Sequence, residues 1–109
     1  MAGTFAAKVL AEGQLASSKG TLYTVPASTT AYIRWLSCHN TGGSAETVVL
    51  YVKPGATSRI IAHASVAASE TLYVVNGGES FQLEAGDLIE GMTTTGTTVD
   101  YVITGVEET

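Results

Sequence analysis

Charge is the scarcest property of this sequence. Of its 109 residues only 14% are charged, and ten Asp and Glu outnumber five Lys and Arg, which gives a net charge of −5. A typical soluble domain carries about 25% charged residues. The shortage of Lys and Arg argues against a protein that binds nucleic acid by neutralising phosphates. With 45% apolar residues, the chain is also unlike a disordered protein, which is rich in charge and poor in apolar side chains.

Cysteine, proline and long apolar runs are also scarce or missing. The single cysteine, Cys38, allows no internal disulfide and excludes a disulfide-stapled secreted mini-domain. Two prolines and aperiodic glycines exclude collagen-like and low-complexity chains. No apolar stretch approaches the ~20 residues of a transmembrane helix, and the N-terminus lacks the pattern of a signal peptide. We therefore predict synthesis in a reducing cytosol and no membrane partner.

The apolar side chains that are present alternate with a period of two residues. Val48, Leu50 and Val52 share one face, and so do Val99, Tyr101 and Ile103. This period, with many β-branched residues, predicts half-buried strands. Turn-forming residues at short intervals separate these segments. The predicted strands lie near residues 5–15, 20–25, 29–40, 46–53, 58–64, 70–76, 79–84, 87–94 and 98–106.

The number and spacing of these segments predict an all-β fold. We expect a single-domain antiparallel β-sandwich of about eight or nine short strands, similar to a jelly roll. Residues 16–109 form the sandwich domain, and residues 1–15 form an N-terminal arm or edge strand. We predict one hairpin between 48–52 and 59–63, and a second pairing between 87–94 and 98–106.

The parity of the strands also predicts which apolar residues lie outside the core. Leu36, Val49, Tyr51 and Val102 are expected on faces opposite the core. Large exposed apolar patches are rare on monomers. The sequence therefore predicts that much of its neutral surface is covered by sister subunits or by a larger particle.

Residues suited to catalysis or metal binding form no recognisable motif. Cys38 and His39 are adjacent, so in a strand they point to opposite faces and cannot chelate one metal together. We interpret them as a core cysteine beside a strand-end histidine. Glu84, Asp87 and Glu90 flank a turn and are interpreted as solvated acids. We predict no enzymatic activity, no cofactor and no metal site.

Interaction residues are predicted from rare cations and aromatic side chains. Arginine and tyrosine are both enriched at interfaces, which selects Arg34, Tyr51, Arg59 and Tyr73. Trp35 is instead expected in the core, because it stands between Ile33 and Leu36. For the N-terminal arm, the predicted contact residues on a neighbouring subunit are Phe5, Val9 and Leu10.

The sequence resembles small structural proteins of tailed-bacteriophage virions in several motifs that follow one another in the same order. They are L-Y-T-V-P-A-x-T-T-A leading into I-R within Gly20–Arg34, an Asn-Thr turn in Asn40–Gly43, T-V-x-L-Y-V in Thr47–Val52, L-x-A-G-D-x-I-x-G in Leu83–Gly91, and V-D-Y-x-I-x-G-V-E-E in Val99–Glu108. Together these motifs cover most of residues 15–108.

Members of that family are head decoration, spike or tail-associated components, so the resemblance implies a non-enzymatic virion protein. We expect a capsid decoration or cement protein that binds the head surface and stabilises it as a trimer. Its expected partners are sister subunits and the phage major capsid protein, with neither nucleic acid nor membrane. Its expected location is the virion, assembled in the host bacterial cytoplasm.

Two alternative functions are kept open. A tail or spike module that binds carbohydrate or a receptor predicts exposed aromatic side chains, with Tyr23, Tyr51 or Tyr73 leading. A cellular enzyme on a cupin-like scaffold needs a cluster of metal-binding histidines, for which His39 and His63 are the available candidates.

Overall fold

The computed structural model describes residues 3–109, with the side chains of residues 77–79 outside that description. These residues form eight β-strands and no helix. The strands are β1 Phe5–Gln14, β2 Gly20–Thr24, β3 Thr30–Asn40, β4 Glu46–Lys53, β5 Arg59–Val66, β6 Thr71–Leu83, β7 Leu88–Thr93 and β8 Val99–Glu108. The strand pattern read from the sequence is thus confirmed in kind and in approximate position.

The strands form two antiparallel sheets that pack face to face. Sheet A has the order β1-β8-β3-β6, and sheet B has the order β2-β7-β4-β5. This is the strand order of an eight-stranded jelly roll, in which consecutive strands mostly alternate between the sheets. The predicted fold class, an all-β antiparallel sandwich, is confirmed.

The core lies between the sheets and is built from alternate residues of each strand. Val48 and Leu50 of β4 face Val99 and Ile103 of β8, and all four side chains are fully buried. These are residues that the period-two pattern assigned to one face. Asn40 is also fully buried, and its side-chain amide donates to the carbonyl oxygens of Ser44 and Val66 at 2.7 and 3.0 Å. It thereby fastens the β3–β4 connection to the end of β5.

The predicted β4–β5 hairpin is confirmed, but the second predicted pairing is wrong. β4 pairs with β5 across Pro54–Ser58, where Gly55 has a positive φ of 85° that glycine adopts without steric cost. β7 pairs with β2 and β4, whereas β8 pairs with β1 and β3. The segment 95–98 therefore crosses from sheet B to sheet A instead of closing a hairpin.

The predicted strands 70–76 and 79–84 belong to one strand, β6. The residues between these two predicted segments form an irregularity in the pairing of β6 with β3, since Asn76 lies opposite Trp35 but Phe81 lies opposite Ile33. Both halves of β6 stay beside the same partner strand, so the chain does not reverse direction here.

Two predictions about the core are wrong because β3 contains a bulge. Pairing with both neighbouring strands shifts between Ile33 and Trp35, and one extra residue there reverses the inside-outside alternation. As a result Leu36, predicted to point outward, is fully buried. Trp35, predicted in the core, is half-buried on the outer side of sheet A.

β1 forms one edge of sheet A by pairing with β8 from Phe5 to Gln14, with a bulge between Val9 and Ala11. The first two residues of the predicted N-terminal arm lie outside the described residues. Leu10 turns inward at the bulge and packs on the core, while Phe5 and Val9 stay exposed.

Candidate interaction surfaces

The outer side of sheet A carries an unusual number of apolar side chains. The strand register places them on one surface. Val9 and Trp35 both lie opposite Thr104, on either side of it, and Val102 and Tyr73 both lie opposite Ser37. Phe5, Val9 and Tyr73 are 64, 56 and 55% exposed, and Val102 is 38% exposed. We call this surface the apolar face; it consists of Phe5, Val9, Trp35, Tyr73, Val102 and Val106.

Two of the apolar face's aromatic rings are held in a defined arrangement. Trp35 and Tyr73 pack edge to face with ring centroids 5.5 Å apart and an interplanar angle of 81°. The indole nitrogen of Trp35 donates to Ser37 Oγ at 2.9 Å. Arg34, which is exposed, lines two shallow depressions on this face, one with Val9 and Trp35 and the other with Phe5. The face thus combines apolar area with a cationic group, a composition typical of protein interfaces.

The predicted interaction residues fall on two different surfaces. Arg34, Tyr73, Phe5 and Val9 come together on the outer side of sheet A. Tyr51 and Arg59 belong to β4 and β5 of sheet B. The strand pattern places Val102 on an outer surface but does not join it to Trp35, because the pattern gives no sign of the bulge in β3.

Tyr51 contributes to a polar cluster on the outer side of sheet B. Glu90 is only 7% exposed there and accepts a hydrogen bond from Ser58 Oγ at 2.5 Å. Lys19 Nζ lies 4.0 Å from the Glu90 carboxylate and 4.8 Å from the centroid of the Tyr51 ring. The prediction that Glu90 is a solvated acid is therefore wrong, since loop residues on both sides cover it.

A second polar cluster joins the two sheets. The Tyr23 hydroxyl of sheet B donates to Glu107 Oε2 of sheet A at 2.6 Å, and Lys8 Nζ lies 2.7 Å from Glu107 Oε1. Hydrogen bonds from Lys8 and Tyr23 lower the pKa of Glu107, whereas burial and the hydrogen bond to Glu107 raise the pKa of Tyr23. Tyr23 is buried, so the prediction of this residue as an exposed aromatic is wrong.

The side of the sandwich between β5 and β6 is open. Ile61 of β5 faces Val74 and Phe81 of β6 across a groove of about 430 Å³. Ile60 and Ile61 are 58 and 37% exposed. No pattern in the sequence marks this groove, because Ile61 is the extra residue at a bulge between Ile60 and Ala62.

Cys38 and His39 lie as the sequence predicted. Cys38 is fully buried, whereas His39 is exposed and its Nδ1 is 2.7 Å from Thr71 Oγ1. Among the residues that the structure describes, no three His, Cys, Asp or Glu side chains converge as a metal site. No helix within residues 3–109 is long and apolar enough to cross a membrane.

Cys38 is expected to be unreactive in the folded protein. Burial raises the pKa of its thiol to about 12, and the thiolate is the reactive form. A thiol reagent such as 5,5′-dithiobis(2-nitrobenzoate) at pH 8 should label the native protein at the rate of global unfolding and the denatured protein within seconds. Rapid labelling of the native protein would contradict the burial of Cys38.

Comparison with known proteins shows similarity of fold. No protein-family model matches the sequence, and no curated protein matches it either. Among solved structures, the chain is similar to one from Bacillus endospore appendages, which are described as a novel family of disulfide-linked pili. The TM-score is 0.52 and the identity 17%, and the alignment covers 98% of this chain and 89% of the other. It is also similar to a chain of the acidic stable capsid of Helicobacter pylori bacteriophage KHP30, with a TM-score of 0.54, 11% identity and coverage of 100 and 89%.

Proposed function

We propose that this chain is a structural protein of a bacteriophage virion that decorates the head as a trimer and stabilises it. The observation that carries the proposal is the apolar face, with four large apolar side chains more than one third exposed on one sheet. Patches of this kind on soluble proteins mark interaction sites. The motifs shared with virion proteins, and the similar fold of a phage capsid chain, support a capsid as the partner.

A decoration protein stabilises the head because it binds to the assembled capsid surface. A protein that binds only the assembled capsid lowers the free energy of that state by mass action. The trimer would present three apolar faces, so individually weak contacts become strong together when the geometry lets them engage at once. Arg34, exposed beside Trp35, adds planar donors suited to carboxylates of the capsid.

Binding to undecorated capsids tests this function. The purified protein should bind them saturably and raise their melting temperature. Val102→Lys, which places a charge in the middle of the apolar face, should weaken binding at least tenfold, since one buried unpaired charge costs more than about 1.4 kcal/mol. Thr47→Lys introduces the same charge at an exposed position of sheet B and should bind like the wild type.

The outcomes separate the two virion placements. No saturable binding, or equal loss in both lysine variants, would overturn the decoration role. Binding to host cells or glycans without binding to capsids would instead support the tail or spike alternative.

A further inference from the structure

The exposed apolar side chains are concentrated on edge strands. Five of the six large exposed ones lie on β1, β5 or β6, which are the outermost strands of their sheets: Phe5, Val9, Ile60, Ile61 and Tyr73. β1 and β2 contact each other along one side of the sandwich, and β5 and β6 along the other. A monomer gains nothing from apolar residues at these edges, so their position points to contacts made there.

Two of these edges carry little of the charge that usually discourages pairing. Natural edge strands are commonly blunted by charged residues, proline or β-bulges. β2 and the stretch Thr71–Asn76 of β6 contain no charged residue and no proline, although a register shift interrupts the pairing of each with its inner neighbour. β1 carries Lys8 and Glu12, and β5 carries Arg59. The ammonium group of Lys8 is engaged by Glu107. On β2 and Thr71–Asn76, therefore, neither charge nor proline keeps the outer backbone groups from pairing with another strand.

Strand directions allow a second copy to continue both sheets. All neighbouring strands in the two sheets are antiparallel. β1 and β6, three places apart in sheet A, are therefore antiparallel to each other, and so are β2 and β5 in sheet B. A copy placed beside this one in the same orientation would set its β1 against β6 and its β2 against β5. Both new strand pairs would be antiparallel, like all the other pairs in the two sheets.

We propose that copies of this chain join side to side, with β1 and β2 of one copy pairing with β6 and β5 of the next. Side chains of β1 such as Val9 would then lie beside Tyr73, and Ile61 and the open groove would be covered by the neighbour. The contact is heterologous, so it closes as a ring when the rotation between copies permits. The inference rests on the proposed function only for the number of copies, three.

The available area is sufficient for such a contact. The ten residues of β1 span about 33 Å and the five residues of β2 about 17 Å, and each edge strand with its side chains is about 10 Å wide. The footprint is therefore about 500 Å² per partner, or about 1,000 Å² in total, which reaches the lower bound for a specific interface. The charges on β1 and β5 meet no like charge in this arrangement, because β2 and Thr71–Asn76 carry none.

Cross-linking of variants that each carry one added cysteine tests the pairing in the purified protein without capsids. Val9→Cys, Glu12→Cys and Tyr73→Cys all place a thiol on the outer side of an edge strand, and native Cys38 is buried. Under mild oxidation, a mixture of Tyr73→Cys with one of the β1 variants should form a mixed disulfide dimer, and no variant should cross-link with itself. Val102→Cys, on the inner strand β8, serves as the control that should not cross-link.

Light scattering provides the second measurement. The wild type should have a mass near three times 11.2 kDa, and Ile61→Lys should reduce it to one chain while Val102→Lys leaves it unchanged. Self-cross-linking of Tyr73→Cys would show a two-fold contact and overturn the proposal, as would the absence of any mixed dimer or a monomeric wild type. Because no capsid is used, none of these three failures decides the capsid-binding test of the proposed function.

Discussion

Gly105→Ala is expected to destabilise the protein by about 3 kcal/mol or more, at the upper end of the cost of overpacking a rigid site. Gly105 lies in β8 opposite Ile33 of β3. A Cβ atom at this position would overlap the backbone carbonyl oxygen of Tyr32 and approach Leu10 Cδ1 to 3.1 Å. Because β3 is held between β8 and β6 in sheet A, its backbone cannot move away without breaking pairing on both sides.

Urea unfolding followed by circular dichroism measures this effect. Gly43→Ala is the matched control, because a Cβ atom at residue 43 meets nothing within 4 Å. The unfolding midpoint of Gly43→Ala should stay close to that of the wild type, whereas Gly105→Ala should unfold at much lower urea or fail to fold. Equal midpoints for the two variants would contradict the close approach of β3 and β8.

Glu107→Ala is expected to cost about 2 kcal/mol near neutral pH, because it leaves the buried Tyr23 hydroxyl without its acceptor. The same carboxylate holds Lys8 of the edge strand β1. The loss should therefore appear both in global stability and in faster amide hydrogen exchange along β1. An unchanged unfolding free energy would show that the link between the sheets contributes nothing measurable.

The stability of the wild type should fall in acid for the same reason. The pKa of Glu107 is lowered in the folded state by Lys8 and Tyr23, so the folded protein binds fewer protons than the unfolded chain. Its contribution is present above the ordinary glutamate pKa of about 4.3 and is lost as the pH falls through the lowered value. Glu107→Gln should reduce this acid sensitivity, whereas Glu84→Gln, at an exposed turn, should retain it.

Strand positions were predictable because they depend on local chemistry. Alternation of apolar residues marks the face of β4 that carries Val48 and Leu50, and the turn around Gly55 leads directly from β4 to its partner β5. The turn at Ala85-Gly86-Asp87 is likewise local, since Asp87 Oδ2 accepts the Glu84 amide at 2.9 Å. Each of these features is decided within a few residues.

The candidate surfaces were only partly predictable. Arg34 and Tyr73 were selected from residue type alone, and they share a face because β3 and β6 are neighbours. Trp35 was assigned to the wrong side, since a bulge is decided by pairing with strands that are distant in the sequence. Glu90 was read as solvated because nothing local indicates that Ser58 and Lys19 cover it.

The sequence alone determined that the chain is an all-β sandwich poor in charge, because composition and period-two alternation act residue by residue. Only the tertiary structure decided which sheet each strand joins, which side Trp35 and Leu36 occupy, and which strands become edges. Those outcomes depend on long-range backbone pairing, and a single bulge reverses every side chain beyond it. The tertiary structure likewise decides where the scarcity of charge shows, which is on the apolar face of sheet A and along β2 and Thr71–Asn76.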